Sequence, residues 1–258
     1  MRIVFFGTPA FVDPVLKKLE ENFKVVKTIR SPQQFNNEAI EQLSALNPDF
    51  FVVAAYGQIL PGKLLEIPKL GSINIHPSLL PKYRGPSPIQ SAILNGDKKT
   101  GVTFIKMDDE VDHGAIIERF EEEILDSDTF ETLAVRLFNK SADKIEDVVN
   151  DYQVNQTAKP QDESKATYTK LLTRQDGFID LNSPPKKEVL ERMIKAYHPW
   201  PSVWTKSSII NHKSLIIKFL PRQKLQVEGK KPMSYKDFIN GYERGAEFLE
   251  KLKLFANG

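Results

Sequence analysis

Short apolar runs alternating with helical patterns restrict what this 258-residue chain can fold into more than any other feature. Arg2 to Phe6 (RIVFF) is a run of the kind buried in a parallel sheet, and Gly7 ends it. Phe11, Val15, Leu16 and Leu19 follow as the apolar positions of a helix. Phe23 to Ile29 reads as a second strand, and Ala39, Ile40, Leu43 and Leu46 as a second helix that stops at Asn47-Pro48. Phe50 to Tyr56 is a continuous apolar run, and Ser72 to His76 a shorter strand. Strand and helix in alternation predict an α/β fold with a doubly wound, mainly parallel sheet.

Ser87, Pro88 and Gln90 form an S-x-x-Q capping box with proline at the first helical position, and Asn95-Gly96 ends that helix. Gly101 to Lys106 and Ala115 to Phe120 read as strands flanking an acidic loop. Asp128 and Glu131 open a long amphipathic helix carrying Phe130, Leu133, Leu137, Phe138, Ile145, Val148 and Val149. The chain then turns polar between Asp151 and Lys170, with few apolar anchors and a proline, as linkers do. The expected organisation is therefore a domain over residues 1–151, a linker over 152–170 and a small second domain over 171–258. In that last part a helix is expected over Lys186 to Tyr197, a Pro/Trp-rich loop after it, and strands at Ser214 to Phe219 and Leu225 to Glu228.

Charge divides along the same boundary. From Leu171 onward 16 Lys and Arg face 9 Asp and Glu, a basic surplus, although the whole chain carries only +2. An acidic first part with a basic tail suits an anionic macromolecule touching the tail; a lysine-rich solvated surface explains the count equally well. No apolar run approaches the roughly 20 residues of a membrane span. Zero cysteines exclude disulfide and thiolate chemistry and favour a reducing compartment, so the cytoplasm is the expected location.

Several candidate chemistries fail on spacing. FFGTPAF after the first strand lacks the glycines of a dinucleotide-binding turn, and neither a phosphate-loop motif nor H-E-x-x-H occurs. In MDDEVDHGAI the four acidic residues suggest calcium, but the required glycine would fall at His113 and the closing glutamate at Arg119. His113 reads as a turn residue, and His198 and His212 have no partners at metal spacing, so no metal is expected.

The segment SINIH is more informative. Strand alternation puts Asn74 and His76 on one face, roughly 6.8 Å apart along the chain, with Ile73 and Ile75 turned to the core. Parallel α/β sheets place ligands at such strand ends, where an amide beside an imidazolium can polarise a carbonyl; a hydrogen-bonded strand end is the competing reading. Pro77, Pro81, Pro86 and Pro88 stiffen the connection that follows, making it a suitable pocket wall, and Lys82 and Arg84 could meet an anion near the next helix. Asp112, in a turn before Gly114, reads best as a partner for His76.

Taken together and in this order, FFGTPAF, VVAAYGQILP, GSINIHPSLLPKYRGPSPIQ, TGVTFIKMDDEVDHG, QDESKATY and HPWPSVWT resemble the 10-formyltetrahydrofolate-dependent formyltransferases. The resemblance implies a Rossmann-like catalytic domain in which Asn74, His76 and Asp112 are catalytic and Ser78, Leu79, Leu80 and Pro81 contact the folate. It implies direct transfer of a formyl group from 10-formyltetrahydrofolate to an amine, without a metal. The tail EGKKPMSYKDFINGY is similar to the small, OB-like, tRNA-contacting domain of the family members that formylate initiator methionyl-tRNA. That implies this tRNA as acceptor and partner, for a monomer with no membrane association; an amino-sugar acceptor is the alternative. Those members carry a Lys/Arg-rich loop, a helix and a further strand after the second strand, whereas here Phe23 to Ile29 runs almost directly into SPQQFNNEAIEQL.

Overall fold

The computed structural model describes residues 1–207 and 215–254. They divide into two compact units. The first comprises Met1–Ile89, Lys98–Ile124 and Thr132–Lys170; the second comprises Gln90–Asp97, Leu125–Glu131 and Leu171–Gly258, as far as that stretch is described.

The first unit is built on strands β1 (Arg2–Phe6), β2 (Lys24–Ile29), β3 (Phe50–Ala54), β4 (Ser72–His76), β5 (Lys99–Lys106) and β6 (Ile116–Glu123), in sheet order β2-β1-β3-β4-β5-β6. β2, β1, β3 and β4 are parallel neighbours, while β5 runs antiparallel to β4 and β6 antiparallel to β5. Helices α1 (Asp13–Asn22), α2 (Asn37–Ala45) and α3 (Gly62–Leu65) connect the parallel strands. Residues 30–36 alone separate β2 from α2, so the short connection expected there is what the structure contains.

Both faces of the sheet are covered, as the unbroken apolar runs require. Val4, Phe6, Phe51 and Val53 pack with Leu43, Tyr56, Leu60 and Leu64, all buried, and Ile40 of α2 lies against them. The alternate residues serve a second face, where Phe50 meets Tyr152 at 6.2 Å between ring centroids. Tyr152 belongs to α5 (Phe130–Asn155), which also brings Phe138 against Phe11 at 5.2 Å. α5 begins at Phe130 and continues to Asn155, past the point where the polar composition suggested a linker. Residues 159–170 are not a bare tether either: Lys159 pairs with Ile116 and Tyr168 with Arg84 in isolated β-bridges.

In the second unit β7 (Val203–Ser207), β8 (Leu215–Leu220), β9 (Lys224–Val227) and β10 (Met233–Ser234) form an antiparallel sheet in the order β10-β9-β8-β7. Its helices are α6 (Lys187–Ala196), α7 (Tyr235–Gly241) and α8 (Gly245–Lys251); α4 (Pro88–Asn95) falls mainly in this unit. Phe219, Phe238 and Phe248 are buried together, with Phe238 and Phe248 edge to face at 5.7 Å. Strand β7 follows the Pro/Trp-rich loop and includes Trp204, which periodicity did not reveal as a strand. The start of the expected strand at Ser214, and His212, lie outside the described residues.

Candidate active site

β4 is an interior strand at the point where the sheet changes from parallel to antiparallel pairing, flanked by β3 and β5. Its alternation places Ile73 and Ile75 in the core, at 0% and 1% exposure, and leaves Asn74 half-buried. The loop joining β5 to β6 brings Asp112 alongside Asn74. Gly114 makes that loop possible, because a Cβ there would stand 1.8 Å from the Lys106 carbonyl oxygen. Asp112 itself adopts a left-handed backbone with φ +51°, costly for a non-glycine residue, and its side chain is held from several directions.

One carboxylate oxygen, Oδ1, accepts from Asn74 Nδ2 at 3.0 Å. The other, Oδ2, accepts from the Gly85 N–H at 2.8 Å and faces His76 Nδ1 at 3.4 Å. Burial pushes the Asp112 carboxyl up. The attraction and contact of His76, the Gly85 N–H and the Asn74 amide outweigh burial and hold it below the usual carboxylate range. His76 is buried, and its Nε2 lies 2.9 Å from the Tyr83 carbonyl oxygen, which can only accept. Nε2 therefore carries a hydrogen, and Nδ1 turns toward the carboxylate. Asn74, His76 and Asp112, singled out in the sequence, thus lie together, Asn74 hydrogen-bonded to the carboxylate and His76 in contact with it.

The S-L-L-P segment divides. Ser78 and Leu80 are wholly buried. The Ser78 hydroxyl donates to the Lys82 carbonyl at 2.6 Å, and its own carbonyl accepts from the Thr103 hydroxyl at 2.7 Å. Leu79 and Pro81 keep partial exposure, and the Leu80–Pro81 peptide is cis. Arg84 does not wait at the surface for an external anion, contrary to expectation, but is paired inside with a carboxylate of the chain itself. It is 1% exposed, and its guanidinium reaches Glu163, Gln161 Oε1 (2.9 and 3.1 Å) and the Tyr168 hydroxyl (3.1 Å). Glu163 is the main reason its basicity rises. Sequence reasoning also missed Tyr83, Gly85 and Gln161, whose contributions to the cluster come through backbone atoms or a polar side chain without a motif.

Among the described residues no cluster of three or more His, Asp or Glu could hold a metal ion. His113 Nδ1 pairs with Asp108 at 2.7 Å, and His198 Nε2 lies 3.6 Å from Glu131. No helix among the described residues is long and apolar enough to cross a membrane.

A polar cluster gathered around one carboxylate, on an interior strand where the pairing of an α/β sheet changes, is placed as the ligand sites of α/β enzymes are. A family model described as formyl transferase matches residues 8–149, and the chain belongs to that family. More particularly, the methionyl-tRNA formyltransferase of Roseiflexus sp. (strain RS-1) is 39% identical over 238 residues, spanning 80% of this chain and 73% of the relative. The solved methionyl-tRNA formyltransferase from Clostridium thermocellum shares the fold with a TM-score of 0.66 at 20% identity, covering 91% of this chain and 99% of that one. A sugar N-formyltransferase from Shewanella sp. FDAARGOS_354 shares it with a TM-score of 0.67 at 18% identity, over 86% and 98%.

Proposed function

We propose that this enzyme transfers the formyl group of 10-formyltetrahydrofolate to the amino group of initiator methionyl-tRNA. The observation that carries the reading is the Asp112 carboxylate, which gathers Asn74, Gly85 and His76 at β4 in a member of the formyl transferase family. Translation initiation, to which that acceptor belongs, sets the reaction in the cytoplasm.

In this reaction the neutral amine attacks the formyl carbon, a C–N bond forms and the carbonyl electrons move to oxygen. Asn74 Nδ2 carries two hydrogens and gives one to Asp112; the second is available to the oxyanion. With a hydrogen on Nδ1 as well as Nε2, His76 offers the substrate oxygen a second donor, its contact to Asp112 being a loose 3.4 Å. Asp112 holds the Nδ1 side of His76 toward the site and helps draw off the proton that the amine loses. Collapse restores the carbonyl and breaks the bond between the formyl carbon and the folate nitrogen, which departs as an amine carrying the proton that the acceptor amine lost. Leu79 and Pro81, the accessible members of S-L-L-P, give the folate an apolar rim, while Ser78 and Leu80 shape it from beneath.

The test is transfer from 10-formyltetrahydrofolate to charged initiator tRNA, with amino sugars assayed in parallel. Formyl-methionyl-tRNA is the expected product. Formylated sugar with untouched methionyl-tRNA would move the enzyme to the amino-sugar reading, which its likeness in fold to the sugar N-formyltransferase keeps in view.

A further inference from the structure

We propose that residues 159–170, whose composition reads as a linker, are a positioning strap for the catalytic cluster and that Gln161 is its central residue. The inference rests on the formyl-transfer reading only for its kinetic test.

The strap reaches both sides of the site. Gln161 Nε2 donates to the backbone carbonyls of Asp112 and Gly114, each at 2.8 Å, so both hydrogens of one amide are used on the loop carrying the carboxylate. The other end of the same amide, Oε1, accepts from Arg84 Nε and Nη2. Arg84 stands between Tyr83, whose carbonyl meets His76, and Gly85, whose N–H meets Asp112. Gln161 is therefore bonded simultaneously to the loop that presents Asp112 and to the residue between the two backbone groups that orient His76 and Asp112.

The remaining strap contacts fix the second of those loops. Thr167 Oγ1 accepts from the Tyr83 N–H at 2.8 Å, the Thr167 carbonyl accepts from the Arg84 N–H at 2.8 Å, and the Thr169 N–H donates to the Arg84 carbonyl at 2.7 Å. Tyr83 and Asp112 both have left-handed backbones, at φ +65° and +51°. Conformations of that kind persist only where surrounding contacts over-determine them, and the strap supplies those contacts at both. A chain segment serving only as a tether has no need to place two polar side chains, those of Gln161 and Thr167, on these particular backbone groups.

Gln161 touches no reacting atom in this scheme; it acts through Asp112. A misplacement of about 1 Å in a catalytic group can cost on the order of 10²-fold, so a partial loosening at Gln161→Ala should lower kcat about 10-fold. KM for methionyl-tRNA should stay within about 2-fold, because substrate contacts are left in place. Gln161→Glu separates the two ends of the amide. Its carboxylate still accepts from Arg84 but has no hydrogen for Asp112 or Gly114, so at neutral pH it should be as slow as the alanine variant. At acid pH the neutral carboxyl regains one donor, and its rate relative to wild type at the same pH should rise.

The deciding measurement does not need turnover: amide hydrogen exchange at Gly85, whose N–H is held by Asp112, in the full chain and in Gln161→Ala. We expect exchange about 10-fold faster at Gly85 with Ile75 in the core strand unchanged. Unchanged exchange at Gly85, or equal acceleration at Gly85 and Ile75, overturns the proposal, as does an unaltered kcat in an active enzyme. Failure of the wild type to formylate methionyl-tRNA sinks the acceptor reading alone, since the exchange result stands apart from it.

Discussion

Asp112 reaches further than any other side chain of the cluster, because its two oxygens receive Asn74, Gly85 and His76. Its acidity gives a pH signature. The native carboxyl lies below its ordinary value, so the stabilisation it contributes is complete above the unfolded value of about 3.9 and disappears as pH falls through the native one. Denaturation midpoints of wild type and Asp112→Asn should therefore differ at pH 6 and converge toward pH 3; a constant gap would mean that the carboxylate is not held in this way. Asn74 and His76 differ in access, the first half-buried and the second 4% exposed. Asn74→Ala and His76→Ala should each lower turnover on the order of 10²-fold, the cost of losing an oxyanion donor elsewhere. Single-turnover formylation checks this, and a near-wild-type rate for either variant would remove that residue from the mechanism.

At the scale of elements, β4 was legible because strand alternation alone puts Asn74 and His76 on one face, and the observed strand has the expected bounds, Ser72–His76. Asp112 was not legible in the same way. It comes from a loop 38 positions later in the chain than Asn74, and only the family resemblance joined the two. Residues 159–170 were hidden for a related reason: their contacts are polar and long-range, so their composition matches that of solvated chain. Arg84 misled because an isolated arginine near a helix start is ordinarily exposed, whereas here Glu163 and Gln161 satisfy it inside. Gly114 ties the β5–β6 loop to its strand, since any side chain would strike the Lys106 carbonyl. Gly114→Ala should cost about 1–3 kcal/mol in stability and reduce activity by displacing Asp112. Urea denaturation together with the formylation assay reads both effects, and full stability with full activity would show that the loop can yield there.

Across the whole molecule the charge asymmetry gains a setting. Lys230 and Lys231 are exposed beside β9 in the second unit, in a tail where 16 basic residues face 9 acidic ones. If this surface meets the phosphates of tRNA, replacing both lysines by alanine should reduce the slope of log affinity against log salt by about 1–2. Filter binding across a salt series measures it, and an unchanged slope would return the surplus to simple solvation. The strap has another consequence, for the order of events as the chain is made. Asp112 and Arg84 wait for Gln161, which follows them by 49 and 77 positions, so a nascent chain that already contains all three catalytic candidates still lacks the groups that hold them. Loop-closure entropy is met late for such contacts. Synthesis therefore delivers all six strands of the sheet before the residue that ties the site together.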